Sequence, residues 1–192
     1  METTGIIATV LLLTVTIGVP LYFIIVGIWR KKRGPRIQSG SLVSLKDKKE
    51  LNVLIDFSQS KIMGMSQDDF IWSRSITKTK DEWREYWETA CNKQFLAKFC
   101  IKANAITQTI NLILGEFPNA QYTALFQVQI VDNDGATSGI MNIIDNESGE
   151  KIAILERFYG AGGRIGTLEN LICDAMDRLG TKFGKYLNSE LK

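Results

Sequence analysis

Histidine is missing altogether from the 192 residues, so zinc and haem sites lose their commonest ligand. Cysteine is scarce. Cys91, Cys100 and Cys173 make an odd number without the CxxC spacing of redox or zinc sites, which points to free buried thiols. A Ser or Cys nucleophile would need a Lys or carboxylate base, and no spacing nominates one. No catalytic residue, metal site or cofactor is therefore expected, and a non-catalytic role is favoured over an enzyme.

Charge is the next absence. Residues 5–29 read GIIATVLLLTVTIGVPLYFIIVGIW, without Lys, Arg, Asp or Glu. At roughly 1.5 Å per residue, such a run crosses a hydrocarbon core of about 30 Å. It predicts one transmembrane helix over 5–29, after a short tail at 1–4. A cleaved signal peptide is the rival, but METT at the start has no basic side chain and no small-residue cleavage pattern follows the run. No Cys lies nearby for a lipid anchor. Pro20 removes a backbone donor inside the span and predicts a kink near Thr16.

What is present after the span is positive charge. Trp29 falls where an interfacial aromatic belongs, and Arg30, Lys31, Lys32, Arg33 and Arg36 follow it. This collar is expected to contact lipid headgroups, each basic residue contributing on the order of 1 kcal/mol. Basic flanks stay on the cytoplasmic side. The expected placement is thus the cytoplasmic (inner) membrane with the N-terminus outside and the following domain cytoplasmic; periplasmic placement is the alternative. Nucleic acid is not an expected partner, because the cluster is short and lacks interleaved aromatics.

Residues 30–50 form a basic juxtamembrane segment and a Gly-, Ser- and charge-rich linker, leaving 51–192 as one domain. In 51–58 (LNVLIDFS), Leu51, Val53, Ile55 and Phe57 share one face of a strand, and Asp56 lies on the other as an ordinary carboxylate. A loop is expected around Lys61, Gly64, Asp68 and Asp69. A helix begins near Thr79 or Asp81, and its pattern is expected to continue in one or two helical segments towards Leu114, with Gly115 stopping it. Its Trp83 and Trp87 are expected to plug it against the sheet.

The period then changes to two. Tyr122, Ala124, Phe126, Val128 and Ile130 alternate with a polar set that includes Thr123, Gln127 and Gln129, predicting a strand with one open face. Asp132-Asn133-Asp134-Gly135 supplies hairpin chemistry and lacks the ligand pattern of a calcium loop. Strands at 137–145 and 151–159 complete a meander, with a turn at 146–149. A last helix, capped by Thr167, shows Leu168, Leu171, Ile172, Ala175, Met176, Leu179, Phe183 and Leu187 at helical spacing. Asp174 and Asp177 lie on its polar side as a solvated pair, and Gly180 and Gly184 are expected to pack against the sheet. The order strand, helix, three strands, helix describes an α+β fold: a two-layer domain with a mainly antiparallel sheet.

The glycine-rich loop 160–167 lies between a strand and a helix, where backbone N–H groups can surround an anion. Gly160, Gly162, Gly163, Arg164, Gly166 and Thr167 are its candidate ligands. The spacing fits neither the dinucleotide fingerprint nor a P-loop, so a tightly turned connector is the plainer reading.

At LNVLIDFS, in the Trp-rich helix, at GEFPNAQYTALFQVQIVD and in the ending GTLENLICDAMDRLGTKFGKYL, the chain resembles small uncharacterised envelope-associated proteins of Bacteroidota. Their plan is similar to the α/β domain of the TolB amino-terminal, CsgG and LpoB group. The resemblance implies an accessory or scaffold role and offers no catalytic residues. Those relatives work in the periplasm, usually from a lipidated Cys, whereas the flanking charges here place the domain in the cytoplasm. The expected function is a single-pass, membrane-anchored binding or scaffold module of the cell envelope, with a protein partner or a homo-oligomer beside the lipid bilayer. A nucleotide- or anion-binding protein using 160–167 is the alternative, and a phage-encoded or membrane-active envelope protein is a third reading.

Overall fold

Apolar residues recurring at every second position between 51 and 57 and between 122 and 128 give the sheet one dry face, which two apolar helical stripes cover. The computed structural model describes residues 34–192 except 77, 116 and 118. The expected span 5–29 and the collar residues Trp29, Arg30, Lys31, Lys32 and Arg33 lie outside the described residues. Among the described residues, no helix is long and apolar enough to cross a membrane.

In chain order the elements are β1 (Arg36–Gly40), a 3-10 turn (Val43–Leu45), β2 (Glu50–Asp56), β3 (Lys61–Ile62), β4 (Met65–Ser66), α1 (Gln67–Arg74) and α2 (Lys80–Thr89). A π turn (Ala90–Phe95) leads into α3 (Leu96–Asn104), then β5 (Asn111–Leu114), β6 (Tyr122–Val131), β7 (Thr137–Asp145), β8 (Lys151–Gly160) and α4 (Leu168–Glu190). The sheet order is β1-β8-β7-β6-β2-β5. Strands β1, β8, β7 and β6 run antiparallel, while β2 lies parallel to both β6 and β5. The α+β class and the mainly antiparallel sheet are thus as the sequence implies.

Helices α3 and α4 cover the dry face. Phe99 and Phe183 from the helices meet Phe126 and Phe158 from the sheet, with neighbouring ring centres 5.7–6.4 Å apart. Gly180 and Gly184 turn out to serve the helix pair rather than the sheet. A Cβ at Gly180 would strike the Phe99 carbonyl, and one at Gly184 would lie 2.8 Å from the Ala103 carbonyl. The two backbones approach closely because neither glycine carries a side chain there.

Several expectations are corrected. The supposed linker is built into the fold from Arg36 onward: β1 pairs with β8, and Leu42 and Leu45 are buried. The expected loop around Asp68 contains helix α1, whose first turn is capped by the Ser66 hydroxyl accepting from the Asp69 N–H. The long helix stops at Asn104, not at Leu114. Ile110 and Leu112 are buried there in an extended run, and the Asn104 side chain both donates to the Leu112 carbonyl (2.9 Å) and accepts from its N–H (2.7 Å). Gly115, at φ +80°, ends a strand.

The π turn explains another difference. Ala90 and Phe95 are buried while Lys93 and Gln94 are exposed, a five-residue step that resets the apolar face before Phe99, Cys100 and Ala103. Trp87 is buried among Phe57, Phe70 and Phe95, at ring-centre distances of 5.1–5.7 Å. Trp83 is only partly buried and packs edge-on to Tyr86. Trp87 is thus the central plug, set in an aromatic cluster at the end of β2, and Trp83 packs against the core beside it from a partly buried position.

Candidate interaction surface

Among the described residues, α3 and α4 lie on the dry face and leave the second face of the sheet without a helix of its own. Strand register places Leu54, Leu125, Asn142 and Ile154 in one row across β2, β6, β7 and β8. A neighbouring row runs from Ile113 through Asn52 and Thr123 to Ile144, and another joins Asp56, Gln127 and Ile140. The aliphatic members are each half-buried, so they form a band across the middle of an open face. Thr123 and Gln127 lie on this face as their alternation predicts. The aliphatic content exceeds what the polar set suggests.

Two amides sit inside that band. Asn142 is 0% exposed and Asn52 3%, among neighbours that are only half-buried. The Asn142 Nδ2 donates to Gln127 Oε1 at 2.7 Å, and the Asn52 Nδ2 donates to Thr123 Oγ1 at 3.2 Å. Both Oδ1 atoms lack any hydrogen-bond partner. A buried acceptor left unmet costs about 1–3 kcal/mol, so the face carries two unused acceptors in an apolar setting. The aliphatic run of β7 interrupted by one Asn is the sequence signal that could have drawn attention to Asn142.

The loop 160–167 is held by packing. A Cβ at Gly162 would meet the Asp134 carbonyl, one at Gly160 the Ala175 carbonyl and one at Gly163 the Asp174 carboxylate. Arg178 Nη1 donates to the carbonyls of Ala161 and Gly162, and Lys182 Nζ donates to that of Tyr159 at 2.6 Å. Burial pushes the Lys182 ammonium below its ordinary range. The carbonyl side of the loop is thus tied to α4 by two cations. Thr167 caps α4, its hydroxyl accepting from the Asn170 N–H at 3.4 Å, while Arg164 and Gly166 are exposed.

The remaining candidates are dispersed. Arg36, the described member of the collar, begins β1 and pairs with Glu156 at 2.5 Å. Asp177 faces Lys102 of α3 at 3.5 Å, and Asp174 is exposed. The Asp132–Gly135 turn borders an open cleft of ≈ 530 Å³, also lined by Met63 and Gly64. There the Asp134 carboxylate accepts from the Ala136 N–H at 3.0 Å, a turn-forming bond. No group of three or more His, Cys, Asp or Glu residues suited to a metal ion occurs among the described residues. Burial raises the Cys173 thiol and pushes Cys100 up to about 12, so both stay protonated near neutral pH.

No family model and no curated protein matches the chain. Several solved structures are similar at low level, two of them PelC assemblies. One is a variant PelC dodecamer from Paraburkholderia phytofirmans, with a TM-score of 0.33 and 15% identity over 78% of this chain and 98% of that one. The other is a PelC dodecamer from the same organism, with a TM-score of 0.32 and 13% identity over the same shares. At that level the likeness carries no argument about assembly or function.

Proposed function

We propose that the chain is a single-pass, membrane-anchored binding or scaffold module of the cell envelope, with a protein seated on the open sheet face. The observation that carries the reading is the pair of buried, unpaired Oδ1 atoms of Asn52 and Asn142 within a half-buried aliphatic band. A partner that brings N–H or O–H donors and apolar side chains satisfies both features at once. The anchor is the charge-free run 5–29, whose basic flank keeps the domain on the cytoplasmic side of the inner membrane.

Photo-crosslinking in cells tests the face directly. A benzophenone residue at Leu125 or Ile140 is expected to capture a protein, either another envelope protein or a second copy, whereas one at the exposed Lys185 captures none. Equal capture at all three positions, or none at any, sinks the proposal. A cysteine at Val43, 70% exposed, tests the compartment. A membrane-impermeant maleimide should label it only after the cytoplasmic face is opened, and labelling in intact spheroplasts reverses the orientation.

A further inference from the structure

Around the connection from α1 to α2, large apolar side chains are left facing water. Trp72, in the last turns of α1, is 65% exposed, and Ile76 beyond its end is 92% exposed. Between positions 72 and 80 the sequence holds three cations, Arg74, Lys78 and Lys80, and no carboxylate. The cations lie against aromatic rings. Lys80 Nζ is 5.8 Å from the Trp72 ring centre, Lys78 Nζ is 5.3 Å from Tyr86 and 5.5 Å from Trp83, and the Arg74 guanidinium carbon is 5.9 Å from Trp83. These contacts join the indoles, the phenol and the cations into one surface. Of the flanking carboxylates, Glu82 accepts from the Thr79 N–H at 2.7 Å, and Asp68 is paired with Arg84 at 2.9 Å. Asp81 and Glu85 stay exposed on α2.

Each component has the same preferred surroundings. Indole and phenol rings favour the headgroup level of a bilayer, where an apolar body and a polar edge are both accommodated. Lys and Arg are drawn to anionic headgroups, and an exposed aliphatic tip gains by entering the acyl boundary. We propose that this surface docks on an anionic lipid bilayer, with Trp72 and Ile76 entering the interface and Arg74, Lys78 and Lys80 facing the lipid phosphates. A single-stranded nucleic acid also uses cations and aromatic rings. Here, however, the cations already lie against the rings that a base would need for stacking, and an isoleucine tip offers a base no polar contact. The inference goes beyond the proposed tether and rests on it in one respect, that the chain's own bilayer lies within reach.

The test uses the full chain in vesicles of phosphatidylcholine, with or without phosphatidylglycerol, part of the lipid carrying bromine in its acyl chains. Subtracting the emission of the Trp72→Phe chain isolates Trp72. With phosphatidylglycerol present, the bromolipid is expected to remove most of the Trp72 emission and shift the remainder to shorter wavelength. Each charge reversal among Arg74→Glu, Lys78→Glu and Lys80→Glu should weaken docking about fivefold or more. Alkaline carbonate separates the two readings. A chain that resists extraction but shows no Trp72 quenching keeps its anchor and overturns the docking surface. A chain that carbonate extracts, yet whose Trp72 was quenched beforehand, loses the anchor and keeps the docking surface. Quenching of Trp72 by an unlabelled oligonucleotide, with none from lipid, overturns the proposal in favour of a nucleic-acid surface. Circular dichroism of every variant must match the parent, and retained quenching in the folded triple reversal also overturns it.

Discussion

Asn142→Leu is expected to make the fold more stable and the partner weaker. In the parent, the Asn142 Oδ1 is buried and unpaired. Removing such an acceptor recovers about 1–3 kcal/mol, and losing the bond to Gln127 costs about 0.5–1.5 kcal/mol. Gln127 is half-exposed, so its freed amide turns to water. Leucine branches at Cγ as asparagine does but is larger by roughly one to two methylenes; it stands in the row between Leu125 and Ile154, half-buried neighbours that can shift outward, so the overpacking is expected to offset only part of the gain. The net gain is on the order of 1 kcal/mol, which in a domain of this size raises the melting temperature by roughly 2–4 °C. The assay is a thermal melt of the detergent-solubilised full chain, followed by near-ultraviolet circular dichroism, with crosslinking through Leu125 measured in parallel. Asn142→Ala should gain less, because the void forfeits packing. A fall in melting temperature for Asn142→Leu refutes the reasoning, since the amide would then be a structural member of the sheet. A rise with undiminished crosslinking separates the amide from the partner.

Four further outcomes are expected. Gly180→Ala should lower stability by about 1–3 kcal/mol, because its Cβ meets the Phe99 carbonyl, and Gly184→Ala by less; urea midpoints that rank the other way contradict the helix crossing. Asn104→Ala, which frees both backbone groups of Leu112, should cost about 1–3 kcal/mol and speed amide exchange along β5 first. Met63→Asn should stabilise by a few tenths to about 1 kcal/mol, since Met63 and Gly64 have φ of 52° and 81° in a two-residue hairpin turn that favours Asn-Gly; an unchanged urea midpoint speaks against the strain. Cys100 is raised by burial from 9.0 to about 12, so between those values the unfolded thiol loses a proton that the folded one keeps. Its contribution is complete below about pH 9 and lost towards pH 12, by at most roughly 1.4 kcal/mol per pH unit, and that slope should disappear from the parent-minus-variant difference if Cys100→Ala removes the cause.

What could be read from the chain is what its neighbours in sequence determine. The meander β6-β7-β8 follows from alternation and from the turns at 132–135 and 146–149, and Thr79 and Thr167 cap helices as their spacing implies. Thr79 forms a full capping box with Glu82, whose carboxyl the Thr79 bonds hold below its ordinary range. β5 is four residues long and is fixed by parallel pairing with β2, a contact between distant segments that periodicity cannot supply. β1 is an edge strand of mixed polarity, so RIQSG carries no strand pattern. The candidate face is legible in part: Thr123 and Gln127 stand out, whereas Asn52 acquires meaning only from Thr123, 71 positions away. The glycines of 160–163 invite an anion cradle in isolation, yet their close approaches are to residues 134, 174 and 175.

The two proposed surfaces act on different scales of energy. Three cations at about 1 kcal/mol each, with part of one indole and one aliphatic side chain, give a docking energy of only a few kcal/mol. For a free domain that corresponds to millimolar affinity, too weak to hold it on a membrane. The proposed span, if it anchors the same chain, changes the reference state, because a short linker would hold the surface at an effective concentration in the millimolar range. The anionic lipid fraction then decides which population predominates, the docked one where phosphatidylglycerol is abundant. The linker itself is short: the sheet begins at Arg36, so few residues separate the expected end of the span at 29 from the first strand. Lipid charge near the domain is therefore expected to alter crosslinking at Leu125 only if docking changes access to the open face. Equal crosslinking in vesicles with and without phosphatidylglycerol makes the two surfaces independent.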